Sequence, residues 1–508
     1  MPPEPLVPET ERILRDCPQF RVLVVGKSGA GKSSLIGHTF GIDVKSVSTD
    51  QRGKCNIYTE IHSPQNSRFV LHDSMGFEPG NVKNLQNVKD FISERSGANV
   101  PLKERVHAIW LCIQVPRAGG RAFETGDEEI VEFMLTHKVP VVVVFTQHDK
   151  LLSMINFKLP EPGRTPEEIH KLCAEKAQPI FQECCVAPLT QLSARLSVEI
   201  SWVCTSGGFF GCGDGDELTG IYTGLSEKRP NPDRAALYEL VNTTCNLVQK
   251  DMGLDASIVY AMAQRASAEL KINTCVEVGM KRYWAGLASS AHFPGRTLQK
   301  CLETVHKEMT ESWNFYDPDD VLSSLVGSCL AYCSHLLQHL VKVKFMDQVK
   351  LLAQLATADE TEAKSWFKSE DLEAAQTWIG LAGATLAASA GPVIGALGVT
   401  AWFAKFVADL YYDTPETLRC FMAYLIDLTL VLHELFYVLP IASPRTVSGD
   451  NIALAFERYE NSDLGRVHSE VRRYVSAGDW EREAAEKKMK NLILYYSSPE
   501  HRARRTAN

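Results

Sequence analysis

The sequence lacks C-x-x-C pairs and has no apolar segment at its N-terminus. It contains 14 cysteines among 508 residues, but without paired spacing a structural zinc site is not expected. The opening residues, Met1-Pro2-Pro3-Glu4-Pro5, are the opposite of a secretory signal. We therefore expect a cytoplasmic protein with free thiols rather than a disulfide scaffold.

The sequence also lacks an excess of positive charge. Its 53 lysines and arginines are outnumbered by 62 acidic residues, which gives a net charge of −9. Nucleic acid is therefore not an expected partner, since non-specific binding to phosphates needs a basic face. The one basic cluster at the end, Arg502-Ala503-Arg504-Arg505, is expected to be a frayed, solvated terminus.

Charge is absent from one long stretch, Ala374–Ala404, which covers 31 residues. About 20 apolar residues cross a bilayer, but Gly391-Pro392 divides this stretch into two shorter pieces. A buried helical hairpin is favoured slightly over a membrane contact. A second apolar run, Phe421–Ile441, contains Asp427 and Glu434, whose charges favour an amphipathic core helix over a membrane span.

A glycine-rich run, Gly26–Ser33, fits the pattern G-x-x-x-x-G-K-S. It follows a strand predicted over Phe20–Val25 and precedes a predicted helix. A strand that turns through glycines into a helix directs backbone N–H groups at one point, where phosphates bind. Lys32 would reach the β- and γ-phosphates, and the Ser33 hydroxyl would ligate Mg²⁺. The predicted phosphate-binding residues are Gly26, Lys27, Ser28, Gly29, Ala30, Gly31, Lys32, Ser33 and Ser34.

Two further motifs follow predicted strands. Asp73, after the strand Phe69–His72, would hold Mg²⁺ through water, and the N–H of Gly76 would meet the γ-phosphate. Thr146-Gln147-His148-Asp149 follows the strand Val141–Phe145. A carboxylate at Asp149 can accept hydrogen bonds from N1 and the exocyclic amine of guanine, which adenine does not offer.

The remaining predicted site residues lie in loops. Ser206 and Gly207, after a strand predicted over Val198–Val203, would offer backbone N–H to the guanine O6. Thr49 precedes a strand predicted over Asn56–His62 and would bind Mg²⁺ and the γ-phosphate. Because ligands bind at the carboxyl ends of strands in open α/β sheets, the motifs together predict an α/β fold with a mostly parallel sheet flanked by helices.

This order of motifs resembles the small-GTPase (G-protein) domain from about Pro18 to Met252. The run Gly26–Ser34 looks like the Era-like and septin-like types, and like plastid-import and immunity-associated GTPases. The chain is also similar to G-domain proteins of fungi. The resemblance implies a P-loop GTPase fold, GTP and GDP as ligands, Mg²⁺ as cofactor, and catalytic roles for Lys32 and Thr49.

Two departures from the family pattern affect the expected activity. Gln147 stands where the base motif usually has a lysine, which weakens the expected affinity for guanine. Phe77 stands where many GTPases have a glutamine that orients the attacking water, so hydrolysis is expected to be slow. An arginine could compensate, and Arg117 and Arg121 follow the predicted strand Val106–Val115, although they are more simply surface charges.

The chain is long enough for two or three domains, and its second half has helical spacing throughout. We predict an N-terminal extension (1–17), a G domain (18–252), a helical domain (253–372), an apolar helical hairpin (373–445), and a C-terminal helix and tail (446–508).

The predicted function is a GTP-binding switch with slow hydrolysis, read out by the C-terminal helices. A nucleotide-binding scaffold without hydrolysis and a membrane-associated, dynamin-like or septin-like assembling GTPase are the alternatives. A protein effector, self-association and a membrane contact through Ala374–Ala404 are all left open.

Overall fold

The computed structural model describes residues 9–42, 56–74, 82–116, 120–159, 165–205, 232–287, 298–324, 415–439, 445–476 and 482–507. Several predicted features lie outside these residues: Thr49, Gly76, Phe77, Arg117, Ser206, Gly207 and the run Ala374–Ala404. The domain limits predicted at 252, 372 and 445 stay predictions.

The first half of the described chain contains a six-stranded sheet. Its strands are β1 (Phe20–Gly26), β2 (Ile61–Ser63), β3 (Asn66–Asp73), β4 (Ala108–Gln114), β5 (Val141–Thr146) and β6 (Trp202–Cys204). Their spatial order is β2-β3-β1-β4-β5-β6. Only β2 runs antiparallel to its neighbour, β3, and the other pairs are parallel. The mostly parallel α/β fold predicted from the sequence is confirmed.

Helices cover both faces of this sheet, so its central strands are apolar on both sides. Val22 and Val24 of β1 face one core, whereas Leu23 and Val25 face the other. The first face packs against α1 (Glu9–Asp16), α2 (Lys32–Phe40), α8 (Pro232–Met252) and α9 (Leu254–Ala263). The second face packs against α3 (Val82–Arg95), α4 (Thr125–Thr136), α5 (His148–Phe157), α6 (Pro166–Phe181) and α7 (Ala187–Leu196).

Two predicted strands are shorter than the sequence suggested. Asn56–His62 begins as a turn, because Thr59 N donates to Asn56 O at 2.9 Å and Tyr58 N donates to the Asn56 side chain. Its strand starts only at Ile61. The segment predicted over Val198–Val203 follows Ser197, whose left-handed backbone conformation ends α7. Its strand starts at Trp202. In both places, local polar hydrogen bonds compete with strand pairing.

A second core is built from helices alone. They are α10 (Ala268–Leu287), α11 (Leu298–Trp313), α12 (Pro415–Val438), α13 (Gly449–Tyr459), α14 (Gly465–Ser476), α15 (Arg482–Tyr496) and α16 (Pro499–Ala507). Residues 422–435 of α12 are all buried, because α10, α11, α13, α14 and α15 pack around it. The sequence predicted an amphipathic core helix here: the helix lies in the core as predicted, but residues 422–435 have no solvent-exposed face, so the amphipathic character is wrong. Among the described helices, none combines the length and apolarity needed to cross a bilayer.

Two acidic residues of this core, Glu434 and Asp463, are paired with basic side chains of α16. Asp463 lies in a π-helical turn, Glu460–Leu464, that joins α13 to α14. It accepts hydrogen bonds from His501 Nε2 and Arg505 Nη1, both at 2.9 Å, and Arg505 also reaches Glu434 at 3.0 Å. The frayed, solvated terminus predicted for residues 502–505 is therefore wrong, because these ion pairs hold α16 against the core.

Substitution Asp463→Ala is expected to lower the free energy of unfolding by about 1.5–3 kcal/mol, because it removes the acceptor of His501 and Arg505 while Arg505 keeps its pair with Glu434. Urea denaturation followed by circular dichroism measures this loss. The matched control is Arg473→Ala, which removes a pair with Glu470 from a side chain that is 76% exposed. That change should cost less than about 1 kcal/mol. Equal effects of the two substitutions would contradict this account of α16.

Two buried basic residues, Arg265 and Lys271, and the half-buried Arg445 lie where the sheet and the helical core meet. Arg265 and Lys271 are fully buried, and burial lowers the pKa of Arg265 to about 9 and that of Lys271 well below its usual value. With Arg445 they donate to carbonyl oxygens near the C-terminal ends of three helices: Trp313 O in α11, Ala261 O and Met262 O in α9, and Phe436 O in α12. The Arg265 backbone N–H also donates to Thr39 O, at the end of α2, at 2.6 Å. Cations are stabilised at this end of a helix dipole.

Candidate nucleotide-binding site

The glycine-rich loop lies between β1 and α2, as its sequence predicts. β1 ends at Gly26, and α2 begins at Lys32 with the left-handed Gly31 as its N-cap. Such a conformation strains any residue with a Cβ. Ser28, Gly29, Ser33 and Ser34 are exposed, whereas Ala30 is buried beneath the loop. The loop therefore presents polar groups and backbone to the solvent from an apolar base.

Lys32 extends over this loop rather than into the solvent. Its half-buried ammonium donates to Gly26 O at 2.9 Å and to Lys27 O at 3.1 Å. Both acceptors are backbone carbonyls of the glycine-rich loop itself. A positive charge held inside a ring of backbone groups at a helix N-terminus favours an anionic ligand such as phosphate.

Asp73 lies beside the loop because β3 pairs with β1. Val24 and Asp73 are register partners, and Ser74 continues the pairing by donating its backbone N–H to Val24 O at 3.1 Å. Burial raises the pKa of the Asp73 carboxyl above its usual value, and the positive charge of Lys32 opposes that shift. A nearby cation would therefore stabilise the carboxylate further.

The donor set at this place fits Mg²⁺. Ser33 offers a hydroxyl oxygen and Asp73 a carboxylate oxygen, which are the ligands that a hard, small cation prefers. In the part of the chain that the structure describes, no group of three or more acidic, histidine or cysteine side chains forms a metal cage. Mg²⁺ bound here would thus complete its coordination with phosphate oxygens and water, as it does in sites that bind nucleoside triphosphates.

The motif predicted to recognise the base, Thr146–Asp149, is hydrogen-bonded directly to the glycine-rich loop. Thr146, the last residue of β5, donates from its hydroxyl to Ala30 O at 2.7 Å. Gln147 has a left-handed backbone with φ of 62° and donates from its side-chain amide to Gly29 O. Thr146 and Ala30 are 116 residues apart in sequence. These contacts join the two motifs into one continuous surface.

Asp149 lies in the first turn of α5, on the same surface, and its side chain is half-buried. The end of β6 approaches it closely, because Thr205 N donates to Phe145 O at 2.7 Å and His148 N donates to Thr205 O at 3.4 Å. The chain that leads to Ser206 and Gly207 therefore starts beside the base motif. A carboxylate at this position faces the positive end of the α5 dipole.

A cavity of about 260 Å³ adjoins the glycine-rich loop on its other side. Lys27 lines it and forms an ion pair with Glu124, the N-cap residue of α4. Arg121 lines the same cavity with an exposed side chain. The structure thus places Arg121 close to the loop, whereas Lys27 directs its charge toward α4.

Comparison with known proteins agrees with this geometry. Residues 21–147 match a family model described as "50S ribosome-binding GTPase". Residues 21–147 form a P-loop GTPase domain. Residues 339–501 match a second model, described as a domain of unknown function (DUF8505).

A solved structure titled "Crystal structure of a probable GTP-binding protein engB" is similar to part of the chain. The identity is 15%, and the match covers 45% of this chain and 99% of that one, with a TM-score of 0.24. The GTPase domain is thus identified by its motifs, its sheet and the matching family model.

One contact of the GTPase domain was missed at the level of sequence. Lys150 donates from its ammonium to Gln147 Oε1 at 2.7 Å. The two residues are three positions apart at the start of α5, a spacing that brings side chains together on a helix. The sequence signal for this contact is therefore that spacing, which lies outside the family's motif positions.

Proposed function

We propose that this protein is a GTP-binding switch that hydrolyses GTP slowly and whose nucleotide state is read out by its helical core. The observation that carries the proposal is the surface formed where the glycine-rich loop and the segment from Thr146 to Asp149 are hydrogen-bonded to each other. On it, the Lys32 loop, Asp73 and Asp149 lie at one edge of the sheet. The P-loop sequence supports an Era-like or septin-like type within that class. A protein effector and self-association are the proposed partners.

Each predicted residue then has a defined task. Lys32 neutralises the charge of the β- and γ-phosphates, and Ser33 and Asp73 hold Mg²⁺, with Thr49 as their predicted companion. Mg²⁺ when bound supplies charge neutralisation across the phosphates. Asp149 selects guanine by accepting from its N1–H and its exocyclic amine.

Hydrolysis is proposed to be slow because Phe77 has no group that orients water. The test is release of phosphate from GTP, measured over many hours against a blank without protein. Turnover that exceeds the blank and disappears in Lys32→Ala supports a slow enzyme. Tight GTP binding without any turnover would instead make the protein a nucleotide-binding scaffold.

Substitution Asp149→Asn is expected to weaken GTP and GDP binding by about 10- to 100-fold, because each hydrogen bond to a charged group contributes about 1.5–3 kcal/mol. ATP should bind weakly to both proteins, since adenine lacks the two donors. Titration with GTP, GDP and ATP in the presence of Mg²⁺ measures this.

A change of base chemistry provides the control for this substitution. Xanthine carries an oxygen where guanine has its exocyclic amine, so the asparagine amide can donate to xanthosine diphosphate where the aspartate repels it. Asp90→Asn, an exposed change on α3, should bind like the wild type. Wild-type affinity for ATP equal to that for GTP would overturn the assignment of guanine.

A further inference from the structure

Three groups form a chain of hydrogen bonds from α5 to the phosphate-binding loop. The Lys150 ammonium donates to Gln147 Oε1 at 2.7 Å, and Gln147 Nε2 donates to Gly29 O. Lys150 is an exposed residue in the first turn of α5, and Gln147 is the N-cap of that helix. Both polar atoms of the Gln147 side-chain amide are thus hydrogen-bonded.

The chemistry of the two ends fixes which way the Gln147 amide points. A backbone carbonyl only accepts hydrogen bonds, and an ammonium group only donates them. The arrangement that satisfies both neighbours therefore has Nε2 toward Gly29 and Oε1 toward Lys150. Without the ammonium, only the Gly29 carbonyl would orient the amide, and Oε1 would lose its partner on α5.

We propose that Lys150 is a positioning residue for guanine-nucleotide binding, and the proposal rests on the function proposed above. By holding the Gln147 amide, Lys150 supports the exposed contact between the base motif and the phosphate-binding loop, beside the buried bond from Thr146 to Ala30 O. It thereby helps to fix the spacing between base and phosphate recognition. A lysine at position 147 would carry the charge to the Gly29 carbonyl by itself. In this chain a neutral amide makes that contact, and the charge lies one helical turn further along.

Loss of this contact acts on binding rather than on folding. Both side chains are at the surface, and the fold around them is held by the buried strand β5 and by Leu151 and Ile155 of α5. A charge-assisted hydrogen bond at the surface corresponds to about a five- to tenfold change in affinity. The expected signature is thus weaker GDP binding, with faster release, at an unchanged melting temperature of the ligand-free protein.

The test is titration of the full chain with GDP and Mg²⁺. Lys150→Ala should weaken GDP binding about five- to tenfold. Lys158→Ala is the matched control, because Lys158 is an exposed lysine that follows the last turn of the same helix, and it should bind like the wild type. Gln147→Leu should weaken binding to a similar extent, and the double variant Gln147→Leu/Lys150→Ala should be no weaker than Gln147→Leu alone.

Rescue distinguishes positioning from a general effect of charge. Lys150→Arg should retain wild-type affinity, and Gln147→Lys should restore affinity in the Lys150→Ala background. Wild-type affinity in Lys150→Ala, or additive losses in the double variant, would overturn the inference while leaving the GTPase assignment intact. A wild-type protein without measurable affinity for GDP would overturn the proposed function and this inference together.

Discussion

The Lys32→Ala variant should bind GTP at least about 100-fold more weakly than the wild type, because two charge-assisted hydrogen bonds to phosphate contribute about 1.5–3 kcal/mol each. The ammonium is already inside the loop, where it donates to Gly26 O and Lys27 O. A phosphate that replaced these carbonyls would gain a preorganised charge. Isothermal titration with GTP and Mg²⁺ measures the change.

The matched control is Lys171→Ala, which removes an exposed lysine from α6. It removes one positive charge, as Lys32→Ala does, so any general electrostatic effect on GTP changes equally in both variants. The assignment of Lys32 fails if Lys32→Ala retains micromolar affinity for GTP. A loss of affinity shared by both variants would point to general charge rather than to the loop.

The Gly26→Ala variant is expected to lose the folded GTPase domain. A Cβ at position 26 would lie 2.3 Å from the backbone oxygen of Cys112 in β4, and φ there is +152°. The oxygen belongs to a paired central strand, so it cannot move without breaking the sheet. Overpacking costs about 1–3 kcal/mol or more and backbone strain about 1–3 kcal/mol. Their sum, about 2–6 kcal/mol, reaches the lower end of the stability of a domain, about 5–15 kcal/mol.

Thermal unfolding and soluble yield measure this effect. The control is Gly97→Ala, at φ of +94° in a loop where no atom lies within 4 Å of the added Cβ. That variant carries the backbone strain without the clash, so it should melt a few degrees lower and still bind nucleotide. If Gly26→Ala melts no lower than Gly97→Ala, the close approach of β1 to β4 does not matter for stability.

The sheet and the phosphate-binding loop could be predicted because their signals are local. A buried strand, a glycine-rich turn and a helix follow one another between Phe20 and Phe40, and the structure has the same order. The predicted place of Asp73 beside this loop also agrees, since parallel strands bring their carboxyl ends to one edge. Boundaries were less predictable where side chains such as Asn56 and Ser193 bond to nearby backbone.

The helical core could not be predicted in the same way, because its determinants are contacts between distant residues. In α12 the sequence shows Asp427 as a charge that should face water. The structure pairs it with Tyr459 and His468, at 2.6 and 2.8 Å, inside the core. Likewise, Arg505 is indistinguishable in sequence from a solvated tail residue until Asp463 and Glu434 are brought beside it. Periodicity alone does not reveal such pairing.

Helix α2 runs from the glycine-rich loop to the buried Arg265. Its first residue is Lys32, and Thr39, near its other end, accepts a hydrogen bond from the backbone of the buried Arg265. Nine residues at about 1.5 Å each make it about 14 Å long. The phosphate-binding end and the end that contacts the buried Arg265 therefore belong to one short helix. A tilt of α2 by a few degrees at the phosphate end displaces the Thr39 carbonyl that Arg265 contacts by a corresponding fraction of an ångström, without any intervening loop.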